Sequence, residues 1–343
     1  MRIAQSHART DPGRKRRGNE DAFVWQPPLF AIADGMGGAQ AGEVASALAA
    51  EALKEGRAHG VGEQRVVDLI QEANRRVHDR ASTDASTSGM GTTITVAVVE
   101  DDGTVTFGHV GDSRAYLLRG ETLEQLTDDH SLVAELVRRG ELSPAEAEVH
   151  PQRSVITRAL GTEPDIDVDA FSVEAKPGDI FLICSDGLSD MLDRATIEAI
   201  VREHRGELEA ASKSLVQAAN RAGGEDNITA VLFEVGEGEP DAAPSEPDEK
   251  TREIAYDDDE EDTLHPEDRV PAVSEHVPAA VDTMVVPAEE VDAAVAAQPA
   301  ADAQPAEEPA APEAGLGRRL LALAVIIALS ALIVVLVWWG LAR

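Results

Sequence analysis

The sequence has one cysteine in 343 residues, and its 30 basic residues are outnumbered by 64 acidic ones. Cys184 therefore cannot form an intramolecular disulfide, which fits a reducing compartment. Because Cys184 ends the apolar run 180–184, we expect it to be a small buried core residue. Residues 1–17 also lack the apolar stretch of a secretory signal peptide.

The formal net charge of −34 is distributed unevenly along the chain. Residues 236–316 contain about 24 acidic and about three basic residues, so this stretch carries roughly −21. Residues 1–235 keep roughly −16, which argues against nucleic acid as a partner because phosphate backbones require a positive surface.

Composition divides the chain into three predicted segments. Residues 1–235 have the periodicity of a globular domain, which we expect to be monomeric. Residues 236–317, rich in Pro, Ala and acidic side chains, cannot build a core and are predicted to be a disordered linker. Residues 318–343 form a hydrophobic segment with short flanks.

The hydrophobic segment predicts a transmembrane helix. Residues 320–341 carry no charge, and about 22 helical residues span a ~30 Å hydrocarbon core. Arg318 and Arg319 lie on its N-terminal side and two tryptophans near the other end, which is the pattern of a cytoplasmic N-terminal flank. We therefore expect a single-pass protein of the cell membrane with its globular domain in the cytoplasm.

Periodicity and turn residues predict the elements of the globular domain. Helices are expected at 42–54, 64–81, 132–139, directly after Pro144, 193–203 and 207–221. Strands are expected at 29–33, 92–100, 104–110, 114–118, 179–184 and 228–235. The charged, mostly helical segment 128–160 is typical either of a flap that recognises a ligand or of a plain surface excursion.

Aspartates recur where predicted strands end or begin. The strand 29–33 breaks at Asp34, and the glycines that follow allow the backbone to pass close to an ion or phosphate. Asp112 and Asp186 follow two further strands, and Asp226 precedes a fourth.

One such aspartate is usually only a turn residue, but four at strand ends favour a metal site. Strand ends meet at the edge of a sheet, and hard divalent cations prefer oxygen ligands. Without cations the clustered carboxylates would repel one another and raise their own pKa values. Two cations would remove that repulsion and activate a water between them.

The basic stretch 14–17 has two interpretations. Four basic residues are most often a solvated patch. The acidic pair Glu20 and Asp21 follows directly, however, and a cation for phosphate beside a carboxylate for a metal is what phosphoester chemistry requires.

Five short motifs carry a resemblance to a known family. In chain order they resemble the motifs of bacterial type 2C, metal-dependent serine/threonine protein phosphatases, and the match runs from about residue 3 to 235. The motifs are residues 16–21, 33–38, 110–114, 185–188 and 225–228. Residues 126–161 also resemble the flap segment of that family.

The resemblance implies an α+β fold, a four-layer α-β-β-α sandwich of two central antiparallel sheets with helices outside. It also implies a dinuclear Mn²⁺ or Mg²⁺ centre at one end of the sandwich. By similarity Asp34 would bridge the two ions, and the Gly35 carbonyl would be a further ligand. Asp186 and Asp226 would bind one ion, and Glu20 or Asp21 would support the other side. Asp112, together with Asp186, would hold a third, looser ion. Arg16 would clamp the phosphate with its bidentate fork, and Arg17 is less suitable by spacing.

The activity implied is hydrolysis of phosphoserine and phosphothreonine by metal-activated water, without a phosphoenzyme. The partners implied are phosphorylated proteins, including membrane serine/threonine kinases. The acid that protonates the leaving group would be a water or a histidine. Six histidines of the globular domain are candidates, and for each a structural role is the stronger interpretation: His7, His59, His78, His109, His130 and His150.

One alternative remains open: a catalytically inactive, membrane-tethered module of the same fold that binds phosphoproteins. The intact set Asp34, Asp186, Asp226 and Arg16 favours the enzyme, because a binding module has no need of the ligands.

Overall fold

The computed structural model describes residues 1–56, 61–237 and 284–285, all within one compact unit, Met1–Ala293. No helix among these residues is long and apolar enough to cross a membrane. The predicted membrane span at 320–341, most of the predicted linker and His59 lie outside the described residues.

Two antiparallel sheets form the centre of the domain. The first has the strand order β1-β12-β11-β7-β8, and the second has the order β10-β6-β5-β3-β2, with β4 paired to β3. The strands are β1 (Arg2–Asp11), β2 (Asp21–Gln26), β3 (Leu29–Met36), β4 (Gly91–Thr92), β5 (Ile94–Val99), β6 (Thr104–Val110), β7 (Arg114–Arg119), β8 (Thr122–Gln125), β9 (Val155–Ile156), β10 (Asp169–Glu174), β11 (Ile180–Cys184), β12 (Ile228–Gly236) and β13 (Met284–Val285).

Helices cover the outer faces of both sheets. They are α1 (Gly38–Glu55), α2 (Gly62–Thr83), α3 (Leu132–Arg138), α4 (Pro144–Glu148), α5 (Asp186–Ser189), α6 (Arg194–Glu203) and α7 (Leu208–Ala222), with a 3₁₀ turn at Ala85–Thr87. Helices α1 and α2 share one apolar core with the second sheet, and α6 and α7 share another with the first. The arrangement confirms the predicted four-layer sandwich.

A third core, between the sheets, contains four buried phenylalanines among aliphatic side chains. Phe30 of β3 stacks on Phe233 of β12 with 4.3 Å between ring centroids, and Phe181 stacks on Phe233 at 5.0 Å. Burying one such ring contributes about 1.5–3 kcal/mol. Cys184 is also buried, as predicted.

The predicted helices are confirmed, but strands at the sheet edges were missed. Strands β1, β2, β8 and β10 each occupy an edge, and their side chains are mainly half-buried or exposed. An edge strand lacks the continuous apolar run that marks a central strand, so its sequence signal is weak.

The expected break of the first strand at Asp34 was wrong. Strand β3 runs on to Met36 because β4 supplies pairing partners, with Gly35 opposite Thr92 and Met36 opposite Gly91. Asp34 therefore lies inside the strand, where the ladder fixes its backbone.

The segment between β8 and β10 contains two short helices that the sequence predicted. The Ser131 side chain caps α3 by accepting from the Ala134 amide, and Ser143 and Glu146 form a capping box on α4. The segment returns through β9, where Ile156 bridges Ser131 and the strand pairs in parallel with β13. We call residues 128–160 the flap.

Candidate metal and phosphate site

Asp34 and Asp21 face each other across the β2–β3 ladder, in direct register. The backbone of Asp34 is held from the other side. Its carbonyl accepts from the Thr93 amide at 2.9 Å and the Thr92 hydroxyl at 2.8 Å, and its amide donates to the Thr93 hydroxyl at 3.3 Å. Two carboxylates are thus fixed side by side at one end of the second sheet.

Gly35 lets the backbone at this point pack against two other segments. Its amide donates to the Glu20 carbonyl at 3.1 Å. A Cβ at this position would lie 2.1 Å from the Gly42 carbonyl oxygen and 2.7 Å from that of Glu20. A larger residue would therefore push α1 and the 19–21 loop away from Asp34.

Asp21 connects the two sheets. Its Oδ2 accepts from the Ser185 hydroxyl at 2.8 Å and from the Thr229 hydroxyl at 2.5 Å, both belonging to the first sheet or its immediate extension. Its Oδ1 is buried and makes no hydrogen bond. A buried carboxylate oxygen without a donor is costly, and either a cation or a proton shared with the adjoining Asp34 carboxyl would satisfy it.

Asp186 and Asp112 reach the same space from two strand ends. Asp186 is the first residue of α5, directly after β11, and Asp112 follows β6. The residue after Asp112 is tied to the Asp34 region, because the Ser113 and Thr93 hydroxyls lie 2.8 Å apart. Residues that are distant in the sequence are thereby brought to one edge.

The electrostatics show that these carboxylates share one environment. Burial, then the charges of Asp21 and Asp186, raise the pKa of Asp34 well above its ordinary value. Burial, then the charge of Asp112, does the same to the pKa of Asp186. Burial raises the pKa of Asp21 to about 7, although hydrogen bonds from Thr229 and Ser185 oppose the shift. Burial and Asp129 raise the pKa of Asp112 to about 7.

Asp226, a candidate metal ligand, contacts Arg16, the candidate phosphate-binding residue. Its Oδ2 accepts from Arg16 Nη2 at 2.7 Å, with both side chains about three-quarters buried. Lys15, which precedes Arg16 in the sequence, pairs with Glu225. Arg17 is exposed, so the sequence-based preference for Arg16 agrees with its position.

Asn227 holds this corner together, and the sequence did not single it out. Its side chain accepts from the Glu20 amide at 2.8 Å and donates to the carbonyls of Pro12 and Gly18 at 3.0 and 2.9 Å. Its amide donates to Asp226 Oδ1 at 2.8 Å. Only its place directly after Asp226 in a motif could have marked it.

The donor set fits a hard divalent cation. Every candidate ligand offers oxygen, which Mg²⁺ and Mn²⁺ prefer, and Asp21 Oδ1 is buried without a neighbouring donor. Within the described residues, no group of three Asp, Glu, His or Cys side chains already has the spacing to hold one ion. The case for a cation therefore rests on the oxygen donors and on the burial of their charges.

The sequence left Glu20 and Asp21 as alternatives, and the structure distinguishes them. Glu20 Oε2 packs against Gly42, where an added Cβ would approach it to 2.3 Å. Asp21 instead faces Asp34 and contributes to its raised pKa. Asp21 is the member of the pair that belongs to the carboxylate cluster.

A cavity of about 830 Å³ is lined by Asp112 and Asp186 of this cluster and by the flap. Asp112, Asp186 and Asp190 line one wall, and helices α3 and α4 of the flap line another with apolar side chains. The flap therefore forms a wall of the space beside the carboxylates.

The described histidines with resolved contacts are held structurally. His7 Nδ1 lies 2.7 Å from the Ser212 hydroxyl, and His150 Nδ1 accepts from the Gln152 amide at 3.2 Å. His109 and His130 are buried at the base of the flap, their ring centroids 4.8 Å apart.

Comparison with known proteins agrees with this geometry. The protein phosphatase 2C family matches residues 14–222. The serine/threonine phosphatase Stp of Listeria welshimeri is 42% identical over 238 residues, which cover 66% of this chain and 94% of Stp. The crystal structure of the Mycobacterium tuberculosis serine/threonine phosphatase PstP superposes with a TM-score of 0.64 at 36% identity, covering 68% of this chain and 100% of that one. A structure of the PstP catalytic domain in complex with two manganese ions gives a TM-score of 0.63 at 34% identity, covering 68% and 99%.

The chain therefore belongs to the protein phosphatase 2C family. It is a serine/threonine protein phosphatase, and the predicted fold and enzyme class are confirmed.

Replacing Asp186 by asparagine should stabilise the metal-free domain. The raised folded pKa means that stability is lost as pH rises from the unfolded value near 3.8 through the folded one. Asp186→Asn removes that loss, so we expect a melting temperature several degrees higher at pH 8 in chelator, with a smaller gain at pH 5.

Asp179→Asn is the matched control for the loss of a carboxylate. Asp179 is 3% exposed and pairs with Arg119 at 2.6 Å, so its replacement should destabilise the domain by about 1–3 kcal/mol. Equal destabilisation by both substitutions would contradict the repulsive cluster.

Proposed function

We propose that this phosphatase hydrolyses phosphoserine and phosphothreonine at a dinuclear centre held by Asp34, Asp186 and Asp226, with Arg16 binding the phosphate. The main support is a buried set of carboxylates whose pKa values are raised by burial and by one another's charges. One oxygen of this set, Asp21 Oδ1, receives no hydrogen bond. A cluster of this kind is unfavourable unless cations complete it.

We assign each candidate metal ligand a role from the charges that act on it. The charges of Asp21, Asp186, Asp226 and Asp112 all act on Asp34, so it suits the bridging role. Asp112 acts on Asp186 and suits a looser third ion. Two Mn²⁺ or Mg²⁺ ions held there would supply an activated water and neutralise the charge that develops on the phosphate.

Supporting side chains fix the orientation of the ligands. The Ser185 and Thr229 hydroxyls both donate to Asp21 Oδ2 and so fix this carboxylate, while Oδ1 receives no hydrogen bond. Asn227 bonds both the Glu20 amide and the Asp226 carboxylate, and so fixes their positions relative to each other. Such supporting hydrogen bonds typically contribute about 10–100-fold to metal affinity or activity.

Arg16 is placed to receive the phosphate beside the metal ligands. Its guanidinium touches Asp226, and a fork of N–H donors matches two phosphate oxygens at once. A phosphate bound by Arg16 would thus lie beside Asp226.

Hydrolysis of a phosphothreonine peptide by the full chain tests this function. We expect turnover that requires Mn²⁺ or Mg²⁺, stops on chelation and returns when the ion is restored. The alternative, an inactive phosphoprotein-binding module, predicts stoichiometric binding of the peptide with no release of phosphate. A folded, metal-loaded chain without turnover would therefore overturn the proposal.

We also propose that residues 318–343 anchor the enzyme in the cell membrane, with residues 1–235 in the cytoplasm and 236–317 as a flexible tether. The support is sequence: an uncharged stretch at 320–341 with arginines on one side. Phosphorylated membrane proteins, including serine/threonine kinases, are then the substrates within reach.

Deleting residues 318–343 should move the protein from the membrane fraction to the soluble fraction. The matched control deletes residues 288–313, an equal length of the tether, and should leave the protein in the membrane. If the variant that lacks residues 318–343 stays in the membrane fraction after alkaline extraction, the proposed anchor is contradicted.

A further inference from the structure

Both ends of the flap are held through the backbone of one buried residue, His130, which is 2% exposed. The His130 amide donates to the Gly111 carbonyl at 2.7 Å, and the His130 carbonyl accepts from the Thr157 amide at 2.7 Å. The first bond ties the start of the flap to the loop before Asp112. The second ties the end of the flap to its start.

The His130 ring repeats the connection to Gly111. Nδ1 accepts from the Gly111 amide at 3.1 Å, so the ring proton is on Nε2, which lies 3.1 Å from Asp169 Oδ2 on β10. Arg158, near the flap's end, pairs with the other Asp169 oxygen at 2.8 Å. One imidazole therefore joins the Gly111 loop to the sheet edge and the flap.

The Gly111 loop has little freedom of its own. Gly111 has φ near +112°, and a Cβ there would lie 2.5 Å from the Thr93 side chain. Thr93 in turn bonds the backbone of Asp34. The loop that carries Asp112 is thus clamped between Thr93 and His130.

We propose that His130 is a positioning residue, which fixes the Gly111–Asp112 turn and couples it to the flap through its Nδ1 contact. It touches no substrate; it sets where the Asp112 carboxylate stands relative to the cavity wall. His109 supports the ring from one side, with its own Nε2 3.1 Å from the Asp128 carbonyl and Nδ1 2.9 Å from the Thr95 hydroxyl.

Two substitutions separate the two ring contacts. His130→Asn places an amide oxygen near the position of Nδ1, and His130→Gln places the amide group near the position of Nε2. The proposal predicts that the Gly111 amide keeps its slow hydrogen exchange in the Asn variant and exchanges at least about tenfold faster in the Gln variant. It also predicts that kcat falls in the Gln variant, with little change in KM.

Asp169→Ala is the further variant, because Asp169 is 46% exposed and its removal leaves the Nδ1 contact intact. We expect slow Gly111 exchange in this variant. Equal exchange at Gly111 in the Asn and Gln variants, or an equal loss of kcat and melting temperature in both, would overturn the positioning role. The kcat comparison rests on the proposed function, whereas the exchange comparison does not, so the two can fail separately.

A second inference comes from β9, the strand on which the flap returns. Val155 and Ile156 are buried and pair in parallel with Met284 and Val285 of the predicted linker. In the sequence, 284–286 is an apolar stretch within the acidic segment, bounded by Asp282 and Pro287, as is typical of a short strand.

We infer that the linker docks on the flap by strand addition at Met284–Val285. Main-chain hydrogen bonds supply the affinity in this mode of recognition. Because the flap lines the cavity beside the carboxylates, docking restricts its movement and so restricts entry of bulky phosphoproteins. This consequence for activity rests on the proposed function; the docking itself does not.

Val285→Pro in the full chain tests the docking, since proline removes a backbone donor. We expect faster amide exchange across 154–157 and higher kcat/KM on a phosphoprotein, with p-nitrophenyl phosphate hydrolysis unchanged. Val291→Pro is the matched linker control and should change neither. Unchanged exchange at 154–157 in Val285→Pro would refute the docking, whatever the activity.

Discussion

Asp34→Asn should lower metal-dependent hydrolysis of a phosphothreonine peptide by more than about 100-fold. Removing a partner that only supports a metal ligand typically reduces metal affinity or activity about 10–100-fold, and Asp34 is the proposed bridge itself. The same substitution removes one charge from a repulsive cluster, so the metal-free variant should melt at a higher temperature than the wild type.

The combination of lower activity and higher stability separates a ligand from a structural residue. Asp68→Asn, which changes an exposed aspartate of α2, is the control and should change neither quantity. An Asp34→Asn variant that unfolds more easily without metal would show that Asp34 is a structural residue. A variant with near-wild-type turnover would show that the bridge lies elsewhere.

Arg16→Lys should lower kcat/KM by about 10–100-fold although the charge is kept. Lysine cannot reproduce the planar fork, and the loss of one charge-assisted hydrogen bond is worth about 1.5–3 kcal/mol. Arg17→Lys is the matched control on the neighbouring, exposed side chain and should leave kcat/KM near the wild-type value. Equal losses in both variants would assign the phosphate to the whole basic patch and contradict a clamp at Arg16.

Much of the site could be predicted from the sequence because its residues stand at recognisable places. Asp34, Asp112 and Asp186 end apolar runs beside glycine, and Asp226 precedes another run. Such positions bring carboxylates to the edge of a sheet whatever the details of packing. The structure brings Asp34, Asp112, Asp186 and Asp226 close enough for their charges to act on one another, and their role as metal ligands stays a prediction.

What could not be predicted depends on pairing between distant strands. The opposition of Asp21 and Asp34 is a matter of register between β2 and β3, and β2 is an edge strand with a weak signal. Ser185 and Thr229 support Asp21 across 164 and 208 residues of chain, and no local pattern encodes such a contact. The extension of β3 to Met36 likewise depended on β4, two residues long.

The flap shows the same division between local and distant signals. Its two helices were predicted because capping residues act within one turn. The clamp at His130 was not predicted, because its hydrogen bonds join segments distant in the sequence. A histidine with satisfied contacts also leaves no periodic pattern.

Titration of the full chain with Mn²⁺, followed by electron paramagnetic resonance, tests the central claim most directly. Two carboxylate-bridged ions about 3.5–4 Å apart are magnetically coupled. We expect wild-type protein to bind two ions tightly with an exchange-coupled spectrum, and Asp34→Asn to show only the spectrum of isolated ions. A fully active wild-type protein with a single ion, or with two uncoupled ions, would contradict the dinuclear centre bridged by Asp34.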